Sequence, residues 1–216
     1  MMVRKITKFA ATTLAAMAVP TLALAHSGVS TTGFMQGFEH PISGLDHVLA
    51  MVLVGAFAFQ LGGRAFWLLP PTFVLATAVG GGLGMMGMTI PLVESGIAMS
   101  VVILAAIVAL DIKTSAGVAM GAASLFAIFH GHAHGAEMPE NTGGAVYALG
   151  FVIATAVLTV GGIGLASLLH IAHEPSRRVI RQSVGGIAAI VGVGLLAGQL
   201  WDNVMFEEAV APIKSN

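Results

Sequence analysis

The chain has 216 residues, of which 56% are hydrophobic and only 9% are charged, and its formal net charge is −1. Because an average soluble domain carries about 25% charged residues, this chain lacks the charge to cover a water-facing surface, and we expect a lipid bilayer as its main solvent. The near-zero charge, without a basic stripe, argues against nucleic acid as a partner. With no cysteine, disulfides and thiolate metal sites are excluded, which leaves His, Asp, Glu, Met and backbone carbonyls as metal ligands.

The start of the chain has the pattern of a secretory signal peptide. A basic segment precedes an apolar stretch from Phe9 to Leu24, and a small-x-small cleavage site lies at 23–25. We therefore predict a signal peptide over residues 1–25 and a single membrane domain over residues 26–216. Cleavage would make His26 the first residue of the mature protein, and an uncleaved first membrane helix is the alternative.

Six apolar runs follow, and each is near the roughly 20 residues that cross the hydrocarbon core of a bilayer. They cover residues 41–61, 66–88, 91–110, 115–134, 145–169 and 184–201. Because the separators are short, neighbouring spans should be antiparallel. The predicted fold class is an all-α bundle of six transmembrane helices, in a multi-pass protein of the bacterial inner membrane. Clustered glycines in the second, fifth and sixth runs indicate either close helix packing or broken helices that line a pathway.

The distribution of basic residues sets the expected orientation. If the mature N-terminus lies outside, the outer segments carry only Lys214, and the remaining basic residues of the membrane domain fall in inner loops. Those inner residues are Arg64, Lys113, Arg177, Arg178 and Arg181. This positive-inside bias agrees with a secreted N-terminus and predicts that both termini are periplasmic.

A first cluster of chemistry-bearing residues, His40, Asp46 and His47, enters the first predicted span. Pro41 suits the first turn of a helix there. On one continuous helix, His40 and His47 would share a face but lie about 10.5 Å apart in rise, too far for a single ion. Either they bind in sequence, or the stretch up to Gly44 is non-helical and folds His40 back. Asp46 is either a ligand or an acceptor that orients an imidazole.

A second cluster ends the fourth predicted span. His130 and His134 have i,i+4 spacing, Glu137 follows at i+7, and all three share one helical face. The histidine pair can chelate one ion, and imidazole favours a borderline metal such as Ni, Co, Zn or Cu over Mg or Ca. Glu137 either ligates the ion or delivers it from solvent. His132 points away from this face, and the glycines beside the pair leave the regularity of the helix open.

Both clusters fall on the periplasmic side of the predicted topology, where ionisable residues at membrane depth are costly and usually functional. His26 adds an α-amine and an imidazole if cleavage exposes it, and Glu39 and Glu94 are further candidates. We predict a path for a divalent transition-metal ion, with no catalytic residue and no resident cofactor. The predicted metal ligands are His26, His40, Asp46, His47, His130, His134 and Glu137.

At these two clusters the sequence resembles the HupE/UreJ family, which comprises hydrogenase and urease accessory permeases for nickel. The first family motif, His-Pro-x-x-Gly-x-Asp-His, is matched by His40, Pro41, Gly44, Asp46 and His47. The second, Phe-His-Gly-x-Ala-His-Gly-x-Glu, is matched by Phe129, His130, Gly131, Ala133, His134, Gly135 and Glu137. The resemblance covers essentially the whole chain. It implies nickel as the cargo, whereas the spacing of the residues indicates only a borderline divalent ion.

The predicted function is secondary uptake of Ni²⁺, with Co²⁺ as the other cargo, for maturation of a hydrogenase or a urease. Because the chain has no nucleotide-binding loop of the G-x-x-x-x-G-K-[ST] type, the membrane potential is the expected driving force. The competing hypothesis is an intramembrane zinc hydrolase, in which His130, His134 and Glu137 hold the metal and Asp46 or Glu39 acts as general base. The sequence lacks the H-E-x-x-H motif that would support a zinc hydrolase.

Overall fold

A computed structural model describes the backbone of residues 31–139 and 142–210, with side chains described for residues 33–139 and 142–201. This part of the chain forms seven α-helices and no strand, which confirms the predicted all-α class. The helices are α1 (Thr31–Ser43), α2 (Leu45–Leu61), α3 (Gly63–Met85), α4 (Val93–Ala109), α5 (Ala116–Ala136), α6 (Gly144–Leu169) and α7 (Glu174–Val210). The predicted signal peptide, His26 and Lys214 lie outside the described residues.

Several of these helices are suited to a bilayer. Four, α3, α5, α6 and α7, are long and apolar enough to cross one, and a fifth span exists if Gly33–Ser43 and Leu45–Leu61 are counted together as one bent span. The helix α4 is also apolar but has only 17 residues. Each of the six apolar runs overlaps a helix, so the described chain is that of a multi-pass membrane protein.

The structure corrects the prediction for the start of the first span. Pro41 lies near the C-terminal end of α1 and not in the first turn of a helix. The chain bends by 81° between α1 and α2, at Gly44, which is extended with φ −93° and ψ 117°. At the end of α1, the Ser43 hydroxyl donates to the carbonyl of His40 over 2.7 Å. This bond gives a partner to a carbonyl of the last turn of α1, and the extended backbone of Gly44 then starts α2 in a new direction.

The last helix also begins earlier than predicted, because the segment 173–182, which we expected to be a polar separator, is helical from Glu174 onward. Glu174 and Pro175 suit a helix start, since an acidic side chain stabilises the N-terminal end of the helix dipole and Pro needs no N–H partner there. Arg177 forms an ion pair with Glu174 one turn away. The basic residues of this segment therefore lie on α7 itself.

Glycines bring neighbouring helices into backbone contact. A Cβ at Gly131 of α5 would overlap the carbonyl of Thr77 on α3, and a Cβ at Gly135 would overlap that of Gly81. Similar contacts join α6 to α1 and α2, through Gly37, Gly55, Gly150 and Gly162. Since α3 and α6 are continuous through their glycine runs, and Gly80, Gly81, Gly84 and Gly162 of those runs touch neighbouring helices, the structure favours close packing over a broken helix for these glycines.

The two ends of the bundle differ in chemistry. At one end, Asp111 pairs with Lys113 (3.0 Å) and Arg181 (3.4 Å), and Lys113 donates to the carbonyl of Gln60 over 2.6 Å. At the other end, α1, α2 and α5 bring histidines together, as described below. Between the two ends lies an apolar core centred on α2, including Met51, Val54 and Phe57. The polar groups are therefore separated along the bundle by packed hydrocarbon.

Candidate functional site: a buried histidine cluster

The bend at Gly44 places His40 and His47 beside the same partner. The ring of His134 lies 4.8 Å from the ring of His40 and 4.4 Å from that of His47, measured between ring centroids. The ring of His130 lies 4.7 Å from that of His47. The structure therefore favours the alternative in which the chain folds His40 back, although residues 41–43 are helical and the break is confined to Gly44. We call His40, His47, His130 and His134 the histidine cluster.

The helix α5 supplies two of these rings from one face. His130 and His134 are one turn apart, and α5 stays regular through Gly131 and Gly135 up to Ala136. The two glycines face α3, where they allow the backbones to touch. From the sequence alone, Gly131 and Gly135 made a regular helix uncertain. In the structure they pack α5 against α3 and so hold the histidine pair in place.

Exposure falls along the cluster. The side chain of His40 is 31% exposed and that of His47 is 11% exposed, and as whole residues His134 and His130 are 1% and 0% exposed. At the exposed end lies a cavity of about 300 Å³ that reaches His40. It is lined by Gln36, Glu39, His40, Ser43, Pro139 and Tyr147. At the buried end, the ring of Phe73, part of the apolar core, lies 6.5 Å from that of His130. The cluster is thus accessible from one direction.

Two carboxylates that are not part of the histidine cluster form hydrogen bonds with its rings. Asp46 Oδ1 accepts a hydrogen bond from Nδ1 of His47 at 2.8 Å and from the backbone N–H of the same residue at 2.8 Å. Glu137 Oε2 lies 2.9 Å from Nε2 of His40. This geometry fits Asp46 as the residue that orients an imidazole, and it joins Glu137 to the most exposed ring of the cluster.

Several ring nitrogens of the cluster are buried and have no hydrogen-bond partner among the described residues. They are Nε2 of His47, Nδ1 of His130 and both nitrogens of His134. A buried polar atom without a partner is costly and uncommon in native proteins, so a set of four in one place requires an explanation. Lone pairs on such nitrogens are suited to bind a borderline transition-metal ion.

The arrangement is nevertheless not a completed metal site. Within the described ranges, no three His, Asp or Glu side chains are already placed as the ligands of one ion. Asp46, Glu137 and one nitrogen each of His40, His47 and His130 are engaged with protein partners. These bonds leave Nε2 of His47, Nδ1 of His130 and both nitrogens of His134 without a protein partner, but these nitrogens do not yet surround one point as the ligands of a single ion.

Four other ionisable residues lie outside the histidine cluster. Nε2 of His132 contacts the carbonyl of Met88 at 2.5 Å, which agrees with setting this residue aside. Glu39 lines the outer cavity, and Glu94 lies exposed in the first turn of α4. His170 follows the last residue of α6, at the opposite end, where Nδ1 accepts from Arg177 over 2.8 Å.

Three residues of the site have no counterpart in the sequence prediction. Ser100 of α4 contacts His130, Phe73 borders the buried end, and Tyr147 lies 6.2 Å from His40 with its hydroxyl buried and unpartnered within the described part of the chain. All three stand singly in apolar helices. A pattern search that relies on spacing between ionisable residues has no signal for them.

The described residues are those of an all-helical, multi-pass membrane protein with a histidine cluster that is reachable from one end of the bundle. Comparison with known proteins gives its family. The family described as HupE / UreJ protein matches residues 14–195. Protein HupE from Rhizobium leguminosarum bv. viciae is 45% identical over 187 residues, which are 87% of this chain and 96% of that relative. The chain belongs to the HupE/UreJ family. No solved structure matches it.

Proposed function

We propose that this chain is a secondary permease that takes up Ni²⁺, with Co²⁺ as the second candidate cargo, for maturation of a hydrogenase or a urease. One observation carries the proposal: His47, His130 and His134 gather buried, unpartnered ring nitrogens in a cluster that is reachable from one end of the bundle. Family membership supports nickel, since nickel is what the resemblance implies, while imidazole chemistry alone supports any borderline divalent ion.

The proposed route begins in the outer cavity. Glu39 and Glu137 add negative charge beside His40, so a hydrated cation is attracted there before it meets a ring. Exposure then falls from His40 through His47 to His130, and transfer along this series removes water from the ion in steps. The predicted ligands of the route are His40, His47, His130 and His134, with Asp46 orienting His47, Glu137 serving capture, and His26 adding a further capture group outside the described residues.

The proposed topology has six spans. The bent pair α1–α2 forms the first, and α4, with 17 residues or about 25 Å of helix, is at the short end of the range that crosses a bilayer. With the N-terminus outside, the histidine cluster faces the periplasm of the inner membrane, and Lys113, Arg177 and Arg181 face the cytoplasm, as the positive-inside bias requires. A cation moving inward then gains about 2.3 kcal/mol per charge per 100 mV from the membrane potential.

The proposed signal peptide has a direct test. Intact-mass measurement of the purified protein should give a mature chain that starts at His26 and contains residues 26–216. A chain that retains residues 1–25 would refute cleavage, and it would also remove the free α-amine of His26 from the capture site.

The zinc hydrolase is not favoured. Family membership gives it no support. Of its two candidate bases, Asp46 is hydrogen-bonded to His47, and Glu39 lines the outer cavity beside His40 rather than the buried pair His130 and His134. A general base needs a free carboxylate within reach of the attacking water.

Transport by the purified protein in sealed liposomes tests the proposal. The vesicles contain a metal-sensitive dye, and a potassium gradient with valinomycin sets an inside-negative potential. We expect saturable Ni²⁺ accumulation that increases with the potential and that is reduced by competing Co²⁺. Accumulation no faster than in protein-free liposomes would refute the permease.

A further inference from the structure

We infer that Ser100 is a positioning residue that holds His130 as the Nε2–H tautomer, so that Nδ1 is the nitrogen this ring offers to the transported ion. The part of this inference that concerns the ion rests on the proposed function. The part that concerns the tautomer rests on the hydrogen bonds alone.

The hydroxyl of Ser100 has two partners. Its Oγ lies 2.6 Å from the carbonyl oxygen of Ile97 and 2.9 Å from Nε2 of His130. Both Ser100 and His130 are fully buried. A hydroxyl has a single hydrogen, and two oxygens 2.6 Å apart repel each other unless a hydrogen lies between them. Since the carbonyl of Ile97 has no hydrogen to give, Ser100 donates to it.

The second contact then has only one possible direction. Because the hydrogen of Ser100 points to Ile97, Oγ faces His130 with a lone pair and accepts a hydrogen bond from Nε2–H. A neutral imidazole carries one N–H, so Nδ1 of His130 has a free lone pair. The opposite tautomer would set two lone pairs against each other at Nε2 and bury an N–H at Nδ1, for which the described residues offer no acceptor.

The same logic applies to the neighbouring ring. Nδ1 of His47 donates to Asp46, and Nε2 is left buried and without a partner in the described part of the chain. Each ring therefore has one nitrogen fixed by a protein acceptor and one nitrogen with a free lone pair, which is how metal-binding histidines are commonly held. For His47 the acceptor is a carboxylate, and for His130 it is the hydroxyl of Ser100.

A purely structural role is the alternative for Ser100, and the chain provides a matched control for it. Ser167 of α6 is also buried and donates to a carbonyl three residues earlier, that of Gly164, over 2.7 Å. Its hydrogen bonds in the structure do not include a histidine. Removing either hydroxyl frees one helix carbonyl, but only the removal of Ser100 takes an acceptor from a ring.

The transport test uses the full-length protein in the liposomes described above. With equal amounts of folded protein, we expect S100A to raise the KM for Ni²⁺ about tenfold and S167A to leave the KM at the wild-type value. S100T keeps the hydroxyl and should restore most of the affinity. Equal KM values for S100A and S167A would overturn the positioning role.

A second measurement does not depend on transport. In protein labelled with ¹⁵N-histidine and held in lipid nanodiscs, the signals of His130 are identified by their loss in H130N. We expect a protonated Nε2 and an unprotonated Nδ1 in the metal-free wild type, and a changed pattern in S100A. A protonated Nδ1 would overturn the inference even if nickel is transported. The expected pattern in a protein that does not transport would uphold the tautomer and refute only the proposed function.

Discussion

Nδ1 of His47 and Oδ1 of Asp46 are 2.8 Å apart, and the same oxygen accepts the backbone N–H of His47. Gly44 makes this arrangement possible, since a Cβ there would lie 2.9 Å from both atoms of the side-chain pair. The glycine, the acid and the histidine of the first motif therefore form one unit. As a result, the hydrogen bond at Nδ1 fixes the orientation of the His47 ring and so the direction in which its Nε2 points.

The first prediction concerns the role of Asp46. D46A removes the acceptor and should raise the KM for Ni²⁺ by about 10- to 100-fold. D46N keeps an oxygen that can accept from Nδ1, so it should retain a measurable part of the affinity. Initial rates of uptake over a range of nickel concentrations measure both. If D46N is as defective as D46A, the negative charge itself is required, and the orienting role is wrong.

Glu137 should affect the capture of the ion more than its transfer through the protein. It contacts His40, the most exposed ring of the cluster, and 57% of its side chain is exposed. E137Q should raise the KM for Ni²⁺ several-fold and change the maximal rate by less than about twofold. E174Q is the control, because Glu174 is also exposed and paired but lies on α7, beside Arg177. A large fall in maximal rate at constant KM would place Glu137 deeper in the route.

The glycines of the second motif should be required for packing. G131A puts a Cβ against the carbonyl of Thr77, and overpacking of this kind costs about 1–3 kcal/mol. We expect a lower melting temperature in detergent. G121A is the matched control on α5, because no neighbouring atom lies within 4 Å of its Cβ position, and its melting temperature should be equal or slightly higher. Equal melting temperatures for the two variants would contradict the packing role.

The sequence allowed the helices of the fold to be predicted because apolar runs of membrane length are bounded by short polar segments. The sequence also indicates the two parts of the candidate site, since His40, His47, His130 and His134 lie in two long motifs, and the structure brings these four rings together. The bend at Gly44 was only one of two alternatives. Where the helix that contains Pro41 ends, and in which direction the next one begins, depends on the packing of α1 against α6, through contacts such as that of Gly37 with Tyr147, which spacing does not reveal.

The contribution of a single polar residue such as Ser100 to the site could not be predicted from the sequence either. Ser100 occupies an apolar helix, and its contact with His130 links residues 30 positions apart on different helices. Such a contact follows from the rotation of α4 relative to α5, which the tertiary packing sets. The start of α7 was missed for a related reason, because the polar segment 174–182 reads as a loop until its capping residues are weighed.

The central claim is that the histidine cluster lies on the path of the ion, and the pair H134N and H132N tests it most directly. The two residues are two positions apart on α5 and both are buried, but the ring of His134 belongs to the histidine cluster whereas that of His132 contacts the carbonyl of Met88. In potential-driven Ni²⁺ uptake into liposomes with equal amounts of folded protein, H134N should reduce uptake to the level of protein-free vesicles. H132N should retain most of the wild-type rate. Wild-type uptake by H134N would contradict the account.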